Sequence, residues 1–443
     1  MFRQEPTIEL KLNDVLRRYE EVAASNPQQL RECLPATELW RLFIDGYRQS
    51  PHGWLAFEHR ERGYLRSLYH AFDELFDPGV TLIAKWIQQI HETALSGVER
   101  TNYCFSNALL GKEDDAGVGE YRSMHYGDFR IGGFYFHAGA GRNATVEGIE
   151  SALNRYDQEN TEQTWRGFSI SNCKKVFSMF EDILLSKEVI EQLREYVKMH
   201  DTINFIEILR FIKPFTYPDF YRHIWEGMPR TDAEKLVSII VDIGKTTDNQ
   251  SLAACLAKHS ITDKESPFEI LFVSGQLAET EKQLDVDVEK YLDCYHREIS
   301  EAVTPLEKLT AIVNFIQSAE QLHPFTDGNC RTFCMLILNY LLMQSGFPFV
   351  IMDNPNRFDL FTHDQVMNEV VEGMENTFKL LKEGKLYNIS TDDILNKLRN
   401  PDPSNHKACR AAQARLKYFT LITGYEVKNR LAAQHNSSND FTP

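Results

Sequence analysis

The sequence predicts an all-α fold that carries one β-hairpin and has a further helical unit inserted in it. Three observations support that class. Apolar residues recur at helical spacing along most of the 443 residues. The stretch YRSMHYGDFRIGGFYFHAG (121–139) breaks the repeat with aromatics, glycines and a Gly127–Asp128 turn signal between two extended runs. From about 160 to 290 the pattern is helical again but irregular, and it contains no catalytic motif.

Taken in order, residues 1–35 read as an N-terminal helical extension. ATELWRLFIDGYRQ (36–49), LRSLYHAFDELF (65–76) and VTLIAKWIQQIHETAL (80–95) each present one apolar face. The polar loop GKEDDAGVGE (111–120) leads into the hairpin, and ATVEGIESALNRYDQ (144–158) returns to helix with Asn143 or Thr145 as its cap. These elements make a first core part, 36–158, with the hairpin at 119–139; residues 159–290 are the insertion. A second core part, 291–388, has the strongest helix signals. TPLEKLTAIVNFIQSAEQL (304–322) has Thr304 to cap it, Pro305 in its first turn and Glu307 at the capping-box position. Leu306, Leu309, Val313, Ile316 and Ala319 line its buried side. TFCMLILNYLLMQSG (332–346) is nearly all apolar, as a central helix should be, and Gly346 ends it. The remainder, 389–443, is polar with short helices.

Composition narrows the function. A hydrophobic fraction of 42% with 25% charge suits a globular chain with a real core. The net charge of −16 argues against nucleic acid as partner and for proteins or small ligands held by local positive charge. Eight cysteines without a CxxC pair fit a reducing compartment and no zinc ribbon. Cys330 and Cys334, four apart, share one helix face, and in the absence of a second ligand pair they read as core packing. Neither a signal-peptide core nor a membrane-length apolar run is present, so the expectation is a soluble, cytoplasmic protein.

The segment HPFTDGNCRTF (323–333) lies between the two strongest helices. Pro324 helps end the first, and the second begins near Asn329, so the N–H groups of Gly328, Asn329 and Cys330 sit at a helix N-terminus that favours anions. Gly328 supplies the freedom such a nest needs. Arg331 opposes the helix dipole unless an anion is bound, and it can fork onto a phosphate. Asp327 suits a divalent cation shared with phosphate oxygens, and His323 suits proton abstraction from an incoming hydroxyl.

HPFTDGNCR resembles the signature of the Fic family, HxFx(D/E)GN(G/K)R, at His323, Phe325, Asp327, Gly328, Asn329 and Arg331. The hairpin resembles that family's flap, a G-x-YR followed by IGG and a nearby His. The resemblance covers roughly 36–158 and 290–385. It implies a Fic-like helical bundle and Mg2+-dependent transfer of AMP from ATP to a Ser, Thr or Tyr hydroxyl of a target protein. It makes His323 the general base, Asp327 the metal ligand, and Gly328, Asn329, Cys330 and Arg331 the nucleotide-phosphate cradle. Ile131, Gly132 and Gly133 become the flap residues that dock the target segment as an added strand.

Two positions depart from the pattern. The family usually has Gly or Lys at position 330 and Arg at position 334, and this chain has Cys at both. The inhibitory (S/T)xxxE(G/N) motif that pairs with that arginine is absent too. The donor therefore stays open: ATP, UTP or CDP-choline, the last transferring phosphocholine, or a Doc-like transfer of the terminal phosphate. A non-catalytic scaffold that only binds is the other alternative. A large insertion on an acidic chain also resembles effectors that bacteria deliver into host cells, which would make the target a host protein.

Overall fold

A computed structural model describes principally residues 6–25, 38–43, 61–75, 82–96, 143–159, 187–200, 228–243, 245–259, 280–325 and 328–387, with short strand segments between 99 and 276. The described residues are predominantly helical, as the periodicity requires. The N-terminal extension contains helix α1 (Ile8–Ser25), whose Leu12 and Val15 are fully buried. Leu39–Phe43 forms a single 3-10 turn, and Leu39, Trp40, Leu42 and Phe43 are buried by it. Helices α2 (Tyr64–Leu75) and α3 (Ala84–Leu95) pack together. Helix α4 (Val146–Glu159) takes Thr145 as its cap, since Thr145 Oγ1 accepts from Gly148 N–H at 3.0 Å. Asn143 is used elsewhere: its Oδ1 accepts from Asn354 Nδ2 at 2.6 Å.

The segment expected to be a helical insertion is more mixed. It holds α5 (Lys187–Met199), α6 (Arg230–Ile243) and α7 (Asn249–Ala257), but Thr164–Asn172 is a strand. It lies antiparallel between the strands Lys175–Phe180 and Glu269–Gln276, and Tyr135–His137 pairs with the latter. The runs WRGFSI, KVFSMF and EILFV are short and rich in aromatic and β-branched residues, which fit a pleated surface better than a helix. Helix α8 (Thr280–Glu301) is unbroken and buries Leu284, Val288, Leu292 and Tyr295 as one helical row.

Helix α9 (Pro305–Leu322) starts as the sequence requires. Thr304 Oγ1 accepts from Glu307 N–H at 3.2 Å, and Glu307 Oε2 accepts from Thr304 N–H at 2.8 Å. Leu309, Val313, Ile316 and Ala319 are fully buried. Beyond the loop, Arg331–Ile337 is π-helical and continues into α10 (Leu338–Gln344), with Gly346 at φ 85 closing it. Wide turns of this kind are rare and often sit at functional sites. Helix α11 (His363–Glu383) completes the bundle. A single hydrophobic cluster unites α1, α2, α3, α8, α9, α10 and α11, so the loop between α9 and α10 is held from several sides. No described helix is long and apolar enough to cross a membrane. The flap residues Ile131, Gly132 and Gly133 lie outside the described residues, as does the tail beyond 400.

Candidate active site

Helix α9 ends at Leu322, and His323 caps it in the left-handed region, φ 50 and ψ 55. Its N–H donates to the carbonyls of Ala319 and Glu320 at 3.2 and 3.0 Å. Glycine usually occupies such a cap, because a Cβ there costs on the order of 1 kcal/mol. Strain of this size persists where the surroundings over-determine the conformation, commonly at functional sites. The turn brings the imidazole back alongside α9. One ring nitrogen lies within 4.8 Å of carboxylate oxygens of Glu320 and Asp359, and Nδ1 is buried. Asp359 is placed by α9 itself: Gln321 Nε2 donates to the Asp359 carbonyl at 2.8 Å, and Gln317 Nε2 donates to the Phe361 carbonyl at 2.9 Å.

Phe325 anchors the middle of the loop. It is fully buried and stacks on His91 of α3, ring centroids 3.7 Å apart and planes within 5°. Asn329, also buried, accepts from Phe325 N–H and donates to Phe325 C=O, both at 2.9 Å. Gly328 takes φ 78, and a Cβ there would come within 2.6 Å of Leu95 Cδ1 at the end of α3. Gly328 is therefore left-handed and backed by an apolar side chain. Asn329 begins the next helix, and the first i→i−4 bond is Thr332 N–H to Gly328 C=O at 3.0 Å. The amides before it form the anion-favouring end.

Arg331 is buried in the first turn, its guanidinium 4.8 Å above the Tyr64 ring of α2. Cys330 and Cys334 are buried behind it, with their Sγ atoms and a Glu320 oxygen within 4.8 Å of one another. Burial pushes the Cys334 thiol well above its ordinary range, and Cys330 and Glu320 push the same way. Asp327, the expected metal ligand, lies outside the described residues.

Sequence reasoning placed the loop and missed what surrounds it. His91, Tyr64 and Leu95 come from helices more than two hundred residues earlier and carry no local signal. Asp359 sits in a turn with no motif. Glu320 had a signal: it continues the buried row Leu309, Val313, Ile316 at helical spacing, where an acid is out of place.

No family model matches the chain. Individual proteins do. A stretch of 104 residues is 42% identical to the phosphocholine transferase AnkX of Legionella pneumophila, covering 24% of this chain and 11% of that protein. Another of 77 residues is 38% identical to the protein adenylyltransferase fic-1 of Caenorhabditis briggsae, covering 17% and 14%. A third of 48 residues is 46% identical to the protein adenylyltransferase Fic of Aedes aegypti, covering 11% and 9%. Over these stretches the chain is similar to Fic proteins and to a phosphocholine transferase. The shared stretches are a small part of each relative's length, 9–14%, so the similarity concerns only part of each protein.

Proposed function

We propose that the chain is a Fic-type transferase that attaches a nucleotide-derived phosphoryl group to a side-chain hydroxyl of a target protein. The observation that carries this reading is His323. It is held in a left-handed cap beside two carboxylates, and on the same short loop a glycine-opened helix start follows. A binding scaffold needs no imidazole kept at that conformational cost.

In this reading the hydroxyl oxygen of the target attacks phosphorus and His323 accepts its proton. The new O–P bond forms as the P–O bond to the leaving group breaks. Glu320 and Asp359 are positioning residues that hold the imidazole, as carboxylates orient histidine in other activated-nucleophile sites. The amides from Gly328 onward, with Arg331, hold phosphate oxygens where negative charge develops. The described residues of the loop fit the anion of a nucleotide; the carboxylate proposed for Mg2+ is Asp327. When bound there, Mg2+ would supply charge neutralisation on the phosphates.

ATP would leave AMP on the target and release pyrophosphate. A specific observation favours a diphosphate-linked donor such as CDP-choline, leaving phosphocholine on the target and releasing CMP. At position 334, where the family pattern puts an arginine for the outer phosphate, a buried thiol lies beside the buried carboxylate of Glu320. A third phosphate would therefore lack the arginine that the family pattern supplies for it. The similarity to a phosphocholine transferase supports the same choice.

Calorimetric titration with Mg2+ present tests the donor. CDP-choline should bind at least about tenfold more tightly than ATP, a difference of roughly 1.4 kcal/mol. Tighter binding of ATP would return the reading to AMP transfer, and binding of neither would remove the loop as a nucleotide site.

A further inference from the structure

We propose that Cys330, Cys334 and Glu320 form a site for a thiophilic divalent cation of the zinc class, behind the catalytic loop and distinct from any ion carried by the nucleotide. The two thiols share a helix face, and read alone they lack further ligands. The fold supplies one. Glu320 reaches them from α9, and all three ligand atoms lie within 4.8 Å of one another. With thiolates at about 2.3 Å and a carboxylate oxygen at about 2.0 Å from zinc, the edges of a tetrahedron are about 3.3 to 3.8 Å. Small side-chain rotations close the remaining gap.

The surroundings distinguish this trio from ordinary core. Glu320 is 1% exposed, Cys330 8% and Cys334 2%. The trio thus gathers two thiols and a carboxylate away from water at the end of the row Leu309, Val313, Ile316. The fourth position of a tetrahedron would be filled by solvent or an added ligand, since His323 and Asp359 share only Glu320 with the trio. Paired thiolates select zinc-like ions and reject Mg2+, which wants oxygen ligands in an octahedron. A cation here would tie α9 to the π-helical turn underneath the loop that carries His323. The site does not rest on the transferase reading.

Cobalt is the probe. The full chain, kept reduced, is titrated with Co2+ and the thiolate-to-cobalt charge-transfer absorption is followed. One equivalent should bind with that band and be displaced by Zn2+. The Cys330→Ser/Cys334→Ser pair should lose the band, Glu320→Gln should keep it with affinity weakened about 10- to 100-fold, and Cys255→Ser/Cys294→Ser should leave it intact. Circular dichroism of each variant without metal confirms folding. If the serine pair does not fold, Cys334→Ala alone serves, with the band expected to drop in intensity and affinity. A reduced, folded parent chain that shows no such band overturns the proposal. So does a band that survives loss of Cys330 and Cys334.

Discussion

The Asn329 carboxamide closes the loop onto Phe325, accepting from its N–H and donating to its C=O at 2.9 Å each. One buried side chain thus makes two bonds to the backbone four positions earlier and ties Phe325 to the helix start. The Gly-Asn pair divides the work: Gly328 turns the backbone and Asn329 locks the turn. Replacing Asn329 with Ala strands two buried backbone groups, so a loss of about 2 to 4 kcal/mol is expected in urea unfolding.

His323→Gly separates stability from function. Glycine occupies φ 50 without a Cβ penalty, so the variant should be as stable as the parent or more stable by up to about 1 kcal/mol. Transfer should fall by about 10²- to 10⁴-fold, as expected for a lost general base. Unfolding curves and a transfer assay on the same preparation check both halves.

Gly328→Ala meets two obstacles, the positive φ and Leu95 Cδ1 at 2.6 Å. Leu95→Ala removes the second and leaves the first. The double variant should therefore be more stable than the sum of the single losses, with a coupling on the order of 1 kcal/mol in a double-mutant cycle. Simple additivity would show that Leu95 does not close the nest.

Glu307 predicts an acid-dependent step. Its two backbone bonds at the start of α9 hold its carboxyl below the ordinary value of 4.5. A folded-state value lower than the unfolded one means that the contribution is complete above about 4.5 and is lost as pH falls through the lower folded value. The difference in urea midpoint between the parent and Glu307→Gln should be present at neutral pH and vanish in acid. A difference that grows on acidification contradicts the assignment.

How much was legible in the sequence follows from how local each feature is. The capping box of Thr304 and Glu307, the burial of Leu309, Val313 and Ile316, and the stop at Gly346 all depend on neighbours within a few residues, and the sequence carried them. The loop was readable for the same reason. Its walls were not: His91 under Phe325, Tyr64 under Arg331 and Leu95 behind Gly328 meet it through tertiary packing between distant helices. The strand Thr164–Asn172 was misread as helical because short apolar runs fit either period, and partner strands decide the outcome. Cys330 and Cys334 read as core from their shared helix face, and both are buried in the hydrophobic cluster; Glu320, their neighbour in space, belongs to another helix and gave no local signal of that contact.

The most direct measurement of the central claim is mass spectrometry of proteins incubated with the reduced chain, Mg2+ and either CDP-choline or ATP, beside the same reactions with His323→Ala. The account predicts a phosphocholine increment on a Ser, Thr or Tyr of a target protein, formed from CDP-choline by the parent chain and absent with the variant. An identical product pattern from the folded variant, or no increment from either donor with a parent chain shown to bind it, would contradict a transferase built on His323.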